Sequence, residues 1–157
     1  TVVLSVAGTG SCRPRPGVGC AVFVLSERHP GRFLVGVRKG NGPDAGLSQL
    51  CGGHMEFGET WEQTAYRETL EEAGVRLRDI SFVHVVNSIR PAVGYHYVTI
   101  FMKGYIDYSN GNQEVRAMEP EKCGAWLWTS MDELPSNDKL FFPFADCIAQ
   151  GITPFSS

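Results

Sequence analysis

Runs of apolar and β-branched residues alternate with Gly-, Pro-, Asn- and Asp-rich segments, a pattern typical of strands joined by turns. The expected strands cover residues 19–25, 32–37, 47–51, 80–89, 95–106 and 123–129. A Glu-Arg-His-Pro-Gly segment separates the first two, and we expect them to pair as a hairpin. Residues 38–46 are predicted to form a loop, and residues 90–94 are predicted to connect the two longest strands.

Two segments have the pattern of helices. The first begins at Thr60, which can form a capping box with Gln63, and ends at Gly74, a residue type favoured just past a helix C-terminus. The apolar stripe expected to pack on a sheet is formed by Trp61, Ala65, Leu70 and Ala73. The second helix is expected over residues 138–150, with Pro143 within or just before its first turn. Strands around a helix that follows a double-glycine turn predict an α/β sandwich.

The composition is that of an ordinary globular protein. The 157 residues suit one domain that buries about two-thirds of its unfolded surface. Hydrophobic residues make up 43% of the chain and charged residues 20%, which argues against disorder. The net charge of −3 provides no basic surface, so polymeric nucleic acid is not expected as a partner. No apolar stretch approaches the length of a membrane span, so a membrane partner is not expected either.

The five cysteines, at positions 12, 20, 51, 123 and 147, form no C-x-x-C pair. Their odd number argues against a disulfide framework or a zinc ribbon, and it predicts a reducing compartment, either the cytoplasm or an organelle interior. Residues 1–15 are predicted to be a poorly ordered leader, or an edge strand, ahead of a folded domain over residues 16–157. The apolar run in the leader has no preceding basic residue, so it matches a signal peptide poorly.

Three glutamates, Glu68, Glu71 and Glu72, are spaced so that they project from one face of the first helix. Like charges on one face repel each other unless cations lie between them. Carboxylate oxygens without thiol or imidazole companions suit Mg²⁺ or Mn²⁺ rather than zinc. We therefore predict a divalent-metal site, with a solvated acidic helix face as the alternative.

The glutamates belong to a longer pattern with fixed spacing. Written out, the pattern is Gly53-x5-Glu59-x7-Arg67-Glu68-x2-Glu71-Glu72-x-Gly74-Val75. It resembles the Nudix box, except that Thr69 stands where the family usually has an aliphatic residue. The resemblance implies the family's α/β/α sandwich with a mixed central sheet. Segments at 85–88 (VVNS), 95–104 (YHYVTIFMKG), 118–123 (MEPEKC), 126–128 (WLW) and 140–143 (LFF-P) resemble the family's MutT-related nucleoside triphosphate diphosphatase branch.

The box glutamates and the glycines before them are the candidate metal ligands. We expect Glu68 and Glu72 to be the principal ligands of Mg²⁺, with Glu71 as a further ligand or as the residue that orients a water molecule. The backbone carbonyl of Gly52 or Gly53 is another candidate, because glycine lets the main chain approach closely.

Two further charged positions follow from the resemblance. Arg67 is expected to pair with Glu59 and hold the helix and the preceding loop in register, with a direct phosphate contact as the alternative. Family members often supply another acid from a loop far along the chain. Glu119 is the candidate here and Glu121 the second choice, and an ordinary exposed turn is the alternative.

The candidate nucleotide-binding residues are spread along the chain. Arg38 is positioned to meet phosphates, whereas Lys39 is equally consistent with a solvated surface. His54 is expected to contact phosphate or to make a structural hydrogen bond. The resemblance implies base contacts from Gln49, Leu50, Thr99, Phe142 and Phe144, although each aromatic is equally consistent with a core position. Pro143 replaces a glycine found in some relatives, so a backbone N–H that would recognise guanine is missing there.

Three functions are consistent with these residues. The first is a Mg²⁺-dependent nucleoside triphosphate diphosphatase that releases monophosphate and pyrophosphate, with the clearing of modified purine nucleotides such as 8-oxo-dGTP as a candidate role. The second is a Nudix hydrolase of ADP-ribose or a prenyl diphosphate, and Pro91 lies near the place where ADP-ribose members of the family often carry proline. The third is an inactive Nudix module that senses a nucleotide, against which the intact box acids argue. The expected partner is a small-molecule nucleotide, and only the resemblance suggests a homodimer.

Overall fold

The computed structural model describes residues 13–155. Its strands are β1 (Gly17–Leu25), β2 (Phe33–Val37), β3 (Ser48–Gln49), β4 (Cys51–His54), β5 (Leu77–Arg90), β6 (Tyr95–Ile106) and β7 (Leu127–Thr129). Its α-helices are α1 (Trp61–Ala73) and α2 (Phe142–Ala149), and short 3-10 turns cover Pro91–Val93, Met131–Glu133 and Asn137–Lys139. Residues 1–12 of the predicted leader lie outside the described residues, so the leader stays a prediction.

The central sheet has the strand order β4-β1-β6-β5. It is mixed, because β1 runs parallel to β6 whereas the β1–β4 and β5–β6 pairs are antiparallel. A smaller antiparallel sheet has the order β3-β2-β7. The predicted hairpin of β1 and β2 is therefore wrong. Both edges of β1 are occupied by β4 and β6, so β2 pairs with β3 and β7 instead.

A helix packs on each face of the central sheet. Alternate residues of β1 point to opposite faces. Cys20, Val22 and Val24 share a buried cluster with Ala65 and Ala73 of α1. Phe23 and Leu25 share the other cluster with Phe144, Ala145 and Cys147 of α2. This arrangement confirms the predicted α/β/α sandwich with a mixed central sheet.

The ends of α1 follow the sequence signals. The Gln63 N–H donates to Thr60 Oγ1 (3.1 Å) and the Thr60 N–H donates to Gln63 Oε1 (2.8 Å), which completes the capping box. Gly74 has φ +72°, and its N–H donates to the Leu70 carbonyl at 3.1 Å. The predicted apolar stripe is only partly correct, because Trp61 and Leu70 are 43% and 38% exposed. The buried face of α1 instead consists of Thr64, Ala65, Glu68, Thr69 and Ala73.

Three other elements differ in extent from their predictions. The strand predicted over 47–51 is interrupted at Leu50 and continues through the two glycines to His54. The strand predicted over 123–129 is regular only at its end, Leu127–Thr129, and Cys123 forms an isolated bridge with Arg38. The helix predicted over 138–150 begins at Phe142, because a 3-10 turn precedes it and Pro143 lies in its first turn.

The described cysteines are core residues. Cys20, Cys51, Cys123 and Cys147 are buried and free, and burial raises the pKa of Cys20 and Cys147 to about 12. Such thiols are poorly reactive, as expected for structural positions. Within residues 13–155, neither helix has the length and apolar character needed to span a bilayer.

Replacing Thr69 with Val should stabilise the protein by about 1 kcal/mol. Thr69 is fully buried, and its hydroxyl has no hydrogen-bond partner among residues 13–155, so Val keeps the shape and removes an unpaired polar group. Thr64 is the matched control, because it is equally buried but its hydroxyl lies within hydrogen-bonding distance of two acceptors, Glu59 Oε1 and the Thr60 carbonyl. Urea unfolding should show that Thr64→Val loses about 1 kcal/mol or more. Equal losses in both variants would contradict the prediction.

Candidate active site

The guanidinium of Arg67 is the centre of the charged network. Two parallel hydrogen bonds join it to Glu59, Nε to Oε2 at 2.7 Å and Nη2 to Oε1 at 2.9 Å. Its other hydrogen bonds reach Glu68 (2.7 Å), Glu71 (3.2 Å) and the backbone carbonyl of His54 (3.0 Å). Arg67 therefore makes the predicted pair with Glu59 and also ties α1 to β4. Because all three of its nitrogens are engaged, a structural role explains Arg67 better than a phosphate contact.

Glu59 is held on several sides. Its Oε1 accepts a hydrogen bond from the Glu56 N–H at 2.9 Å and from the Thr64 hydroxyl at 3.0 Å, in addition to the bonds from Arg67. The Arg67 guanidinium lowers the pKa of Glu59 to about 2. Glu59 is thus ionised at neutral pH and fastens the loop before α1 to the helix.

The two glycines of β4 make room for the acids of α1. A Cβ on Gly52 would lie 2.2 Å from the Cys20 carbonyl oxygen, so only glycine allows β4 to pair this closely with β1. A Cβ on Gly53 would lie 2.6 Å from the carboxylate of Glu68. The Gly52 N–H donates to Glu72 Oε1 at 2.8 Å. The strand therefore cradles both carboxylates, which explains why an acidic residue can occupy the buried face of a helix.

Glu68 and Glu72 are neighbours whose carboxyl groups affect each other's pKa. Burial raises the pKa of Glu68, and it raises the pKa of Glu72 to about 8, with the charges of Glu68 and Glu119 adding to the effect on Glu72. Adjacent buried carboxylates are poorly stabilised without a cation, and their oxygens suit a hard divalent ion. The donor chemistry thus fits Mg²⁺ or Mn²⁺. Among residues 13–155, however, no three Asp, Glu, His or Cys side chains converge as a ready-made metal cluster.

The remaining candidate acids differ in their surroundings. Glu71 is half exposed and paired with Arg67. Glu119 forms a 2.8 Å ion pair with Lys122 and lies near enough to Glu72 to raise its pKa. The turn that contains Glu119 is tied to α1, since the Met118 N–H donates to the Glu72 carbonyl at 3.1 Å. Glu121 is exposed, and its charge contributes to raising the pKa of Lys122. The structure therefore favours Glu119 over Glu121 as the additional acid.

An aromatic cleft, defined by Tyr95, Tyr97, Phe141 and Phe142, lies where β6 begins and α2 starts. Tyr95 is in contact with the other three rings, with centroid distances of 4.7 Å to Tyr97, 5.8 Å to Phe141 and 5.0 Å to Phe142. The guanidinium carbon of Arg38 lies 3.9 Å from the Phe141 centroid. Half-buried rings beside a cation are suited to stacking on a planar base.

The predicted substrate residues separate into two groups. Arg38, His54 and Phe142 lie at the aromatic cleft. Gln49 is buried beneath Arg38, which donates to its Oε1, and Thr99 is buried on β6. Leu50 and Phe144 are 4% and 1% exposed and belong to the core under α2, which argues against their contact with a ligand.

Three further cleft residues, Tyr95, Tyr97 and Phe141, are not among the residues predicted from the sequence. Residues 95, 97 and 99 lie on the same face of β6, because successive side chains of a strand point to opposite faces. Their spacing from Thr99, a predicted site residue, is the signal that could have indicated the two tyrosines. A separate groove of about 390 Å³, lined chiefly by Arg28, His29, Tyr108, Trp126 and Trp128, contains none of the predicted site residues.

The NUDIX domain model matches residues 13–150, most of the chain. The chain belongs to the Nudix hydrolase family. The Arg67 network, together with Gly52 and Gly53 packed against the acids of α1, is thus this chain's form of the Nudix box.

Among curated proteins, an oxidized purine nucleoside triphosphate hydrolase from Danio rerio is 31% identical, over 73% of this chain and 71% of that protein. The NAD-capped RNA hydrolase NudC from Enterobacter sp. (strain 638) is 29% identical, over 79% of this chain, which spans only 44% of NudC. Among solved structures, a MutT NUDIX hydrolase from Burkholderia pseudomallei has 32% identity and a TM-score of 0.68, covering 78% of this chain and 89% of that one. These similarities support a MutT-related branch.

Alanine at the two glycines should have unequal effects on stability. Gly52→Ala places a methyl group against backbone atoms of β1, so we expect a loss of about 3 kcal/mol or more in the free energy of unfolding. Gly53→Ala meets only the end of the Glu68 side chain, which can move, so we expect a loss of about 1 kcal/mol. Gly124→Ala is the control, because its Cβ would meet only ordinary contacts at 3.8 Å or more. Thermal unfolding of the three variants checks the order, and equal losses at Gly52 and Gly53 would contradict it.

Proposed function

We propose that this Nudix hydrolase is a Mg²⁺-dependent nucleoside triphosphate diphosphatase that releases a nucleoside monophosphate and pyrophosphate, with modified purine nucleotides among its substrates. One observation supports this most directly: the short strand β4 adjoins both the buried acids and the aromatic cleft. Gly52 and Gly53 contact Glu72 and Glu68, and the next residue, His54, contacts Tyr97 in the cleft. A nucleotide with its base in the cleft would place its phosphates toward the acids.

The acids are suited to hold the metal that a phosphoanhydride substrate requires. Glu68 and Glu72 would be its main ligands, assisted by a backbone carbonyl of Gly52 or Gly53, with Glu71 and Glu119 nearby. Bound Mg²⁺ would neutralise phosphate oxygens and acidify a water molecule. Arg67 would keep Glu68 in place through their 2.7 Å hydrogen bond rather than contact the phosphates itself.

The cleft residues would bind the base and orient the nucleotide. The Tyr95, Phe141 and Phe142 rings offer planar surfaces, and each stacked base contributes about 1–3 kcal/mol in comparable aromatic sites. Arg38 is paired with Asp44 at 2.6 Å, so its charge is partly compensated before any phosphate approaches. Base stacking is therefore the stronger expected source of affinity at this end.

The comparisons support this proposal without deciding the substrate. The similarity to the Danio rerio enzyme favours an oxidised purine nucleoside triphosphate. The similarity to NudC makes an NAD-like dinucleotide or NAD-capped RNA end the main alternative, with ADP-ribose or a prenyl diphosphate as others. The complete set of box acids argues against an inactive sensing module. We also propose a homodimer, from the branch resemblance, and a cytoplasmic or organellar reducing environment, from the free cysteines.

A substrate panel with Mg²⁺ tests the proposed reaction. The panel contains dGTP, 8-oxo-dGTP, NAD, ADP-ribose and a prenyl diphosphate, and each product mixture is analysed for nucleoside monophosphate, pyrophosphate and phosphate. We expect equal amounts of monophosphate and pyrophosphate from the triphosphates, because attack between the α and β phosphates releases both. Phosphate release from the triphosphates, or a clear preference for NAD or ADP-ribose, would contradict the proposal.

Glu72→Gln should lower kcat/KM by at least about 100-fold while the fold stays intact. Glutamine keeps the size of the side chain and an oxygen for the Gly52 N–H, but it removes the charge that would hold the metal. Glu114→Gln is the matched control, because its side chain is 82% exposed. Steady-state kinetics, Mn²⁺ titration by electron paramagnetic resonance and thermal unfolding separate the effects. Near-normal turnover in Glu72→Gln would refute its role as a ligand.

A further inference from the structure

The side chains of His54 and Tyr97 are joined by a hydrogen bond across the central sheet. The distance from His54 Nε2 to the Tyr97 hydroxyl oxygen is 2.7 Å, and the two ring centroids are 5.4 Å apart. His54 is the last residue of β4, and Tyr97 lies near the start of β6. Because β1 lies between these strands, the hydrogen bond passes over β1 from one neighbour to the other.

The Tyr97 ring lies against a glycine of β1 that leaves room for it. A Cβ on Gly17 would be 2.3 Å from Tyr97 Cε1, so any side chain there would displace the ring. On its other side, Tyr97 packs against Tyr95 at 4.7 Å. The ring is thus fixed by Gly17 below, Tyr95 beside it and His54 at its hydroxyl.

His54 is also connected to the acids through its backbone. Its carbonyl accepts a hydrogen bond from Arg67 Nη2 at 3.0 Å, and Arg67 holds Glu68 through Nη1 at 2.7 Å. The residue before it, Gly53, packs directly against the Glu68 carboxylate. One residue therefore contacts the wall of the aromatic cleft with its side chain and the acid network with its backbone.

We propose that His54 and Tyr97 form a positioning pair, which fixes the base-binding cleft relative to the acids that act on the phosphates. The proposal rests on the proposed function, in which a single nucleotide spans both places. It assigns His54 a hydrogen bond to the cleft wall rather than a contact with phosphate. Without this bond the Tyr97 ring gains freedom, and the reacting phosphate is aligned less often even when the nucleotide is bound.

Four variants test the pair with dGTP as substrate. Tyr97→Phe removes only the hydroxyl, and His54→Leu removes the ring nitrogens. His54→Gln is the conservative variant, because its amide can reach about the same place as Nε2. Tyr105→Phe is the matched control, an identical change on the same strand at a residue packed under α2.

We expect Tyr97→Phe and His54→Leu each to lower kcat about 2- to 12-fold with little change in KM, the range for one net hydrogen bond. His54→Gln should recover most of the loss, and Tyr105→Phe should behave like the parent protein. The double variant Tyr97→Phe/His54→Leu should lose no more than either single variant, because both remove the same interaction.

Other results would overturn the proposal. Additive losses in the double variant would show that the two residues act independently. An increase in KM alone would indicate simple contact with the nucleotide, and a change confined to thermal stability would indicate a purely structural bond. If the parent protein releases pyrophosphate from neither dGTP nor 8-oxo-dGTP, the proposed function fails by itself, and the same variants are then measured on the substrate that the panel identifies.

Discussion

The contact between β4 and the Arg67 side chain is the constraint on which the rest of the site depends. Arg67 bonds to Glu59 in the loop, to Glu68 in the helix and to the His54 carbonyl in the strand. Three separate segments are therefore fixed by one planar, permanently charged group. A lysine ammonium could not replace it, because its single nitrogen cannot satisfy acceptors in these different directions. Residues from separate parts of the sequence are thus brought together around one guanidinium.

This arrangement has a cost in stability that is concentrated where chemistry is expected. Burial raises the pKa of both Glu68 and Glu72, so each is held in an environment that disfavours its charge, an effect that Arg67 partly offsets for Glu68. The glycines beside them contribute no side-chain packing. A protein optimised only for stability would not bury acidic side chains against glycines. Buried acids at a place with little side-chain packing are unfavourable for stability, and such a conflict is itself an indication of a functional site.

Local signals in the sequence predicted local structure well, and long-range pairing poorly. The capping box at Thr60, the left-handed Gly74 and the connection between the two longest strands follow from short-range rules. The partner of β1 does not, because the apolar character of a strand indicates burial but not which strand lies beside it. The buried face of α1 was also misjudged, since Glu68 is buried only because Gly53, on another element, makes space. The acids were predictable because their spacing alone places them on one helix face. The role of Tyr97 was not, because it depends on contacts with residues of other strands.

The start of α2 indicates how the cleft would discriminate between bases. Pro143 has no N–H, and the Phe141 N–H already donates to the Ser48 carbonyl at 2.8 Å, so these two residues offer no backbone donor to a base edge. The side-chain oxygen of Gln49 is also engaged, because it accepts a hydrogen bond from Arg38. The Tyr97 hydroxyl is engaged as well, because it is hydrogen-bonded to His54, so the cleft offers chiefly ring faces to a base. Under the proposed function, stacking would therefore contribute more than hydrogen bonding to base binding, and stacking depends weakly on the substituents at a purine's edge. Under the same proposal, a cleft of this kind would tolerate chemically altered bases.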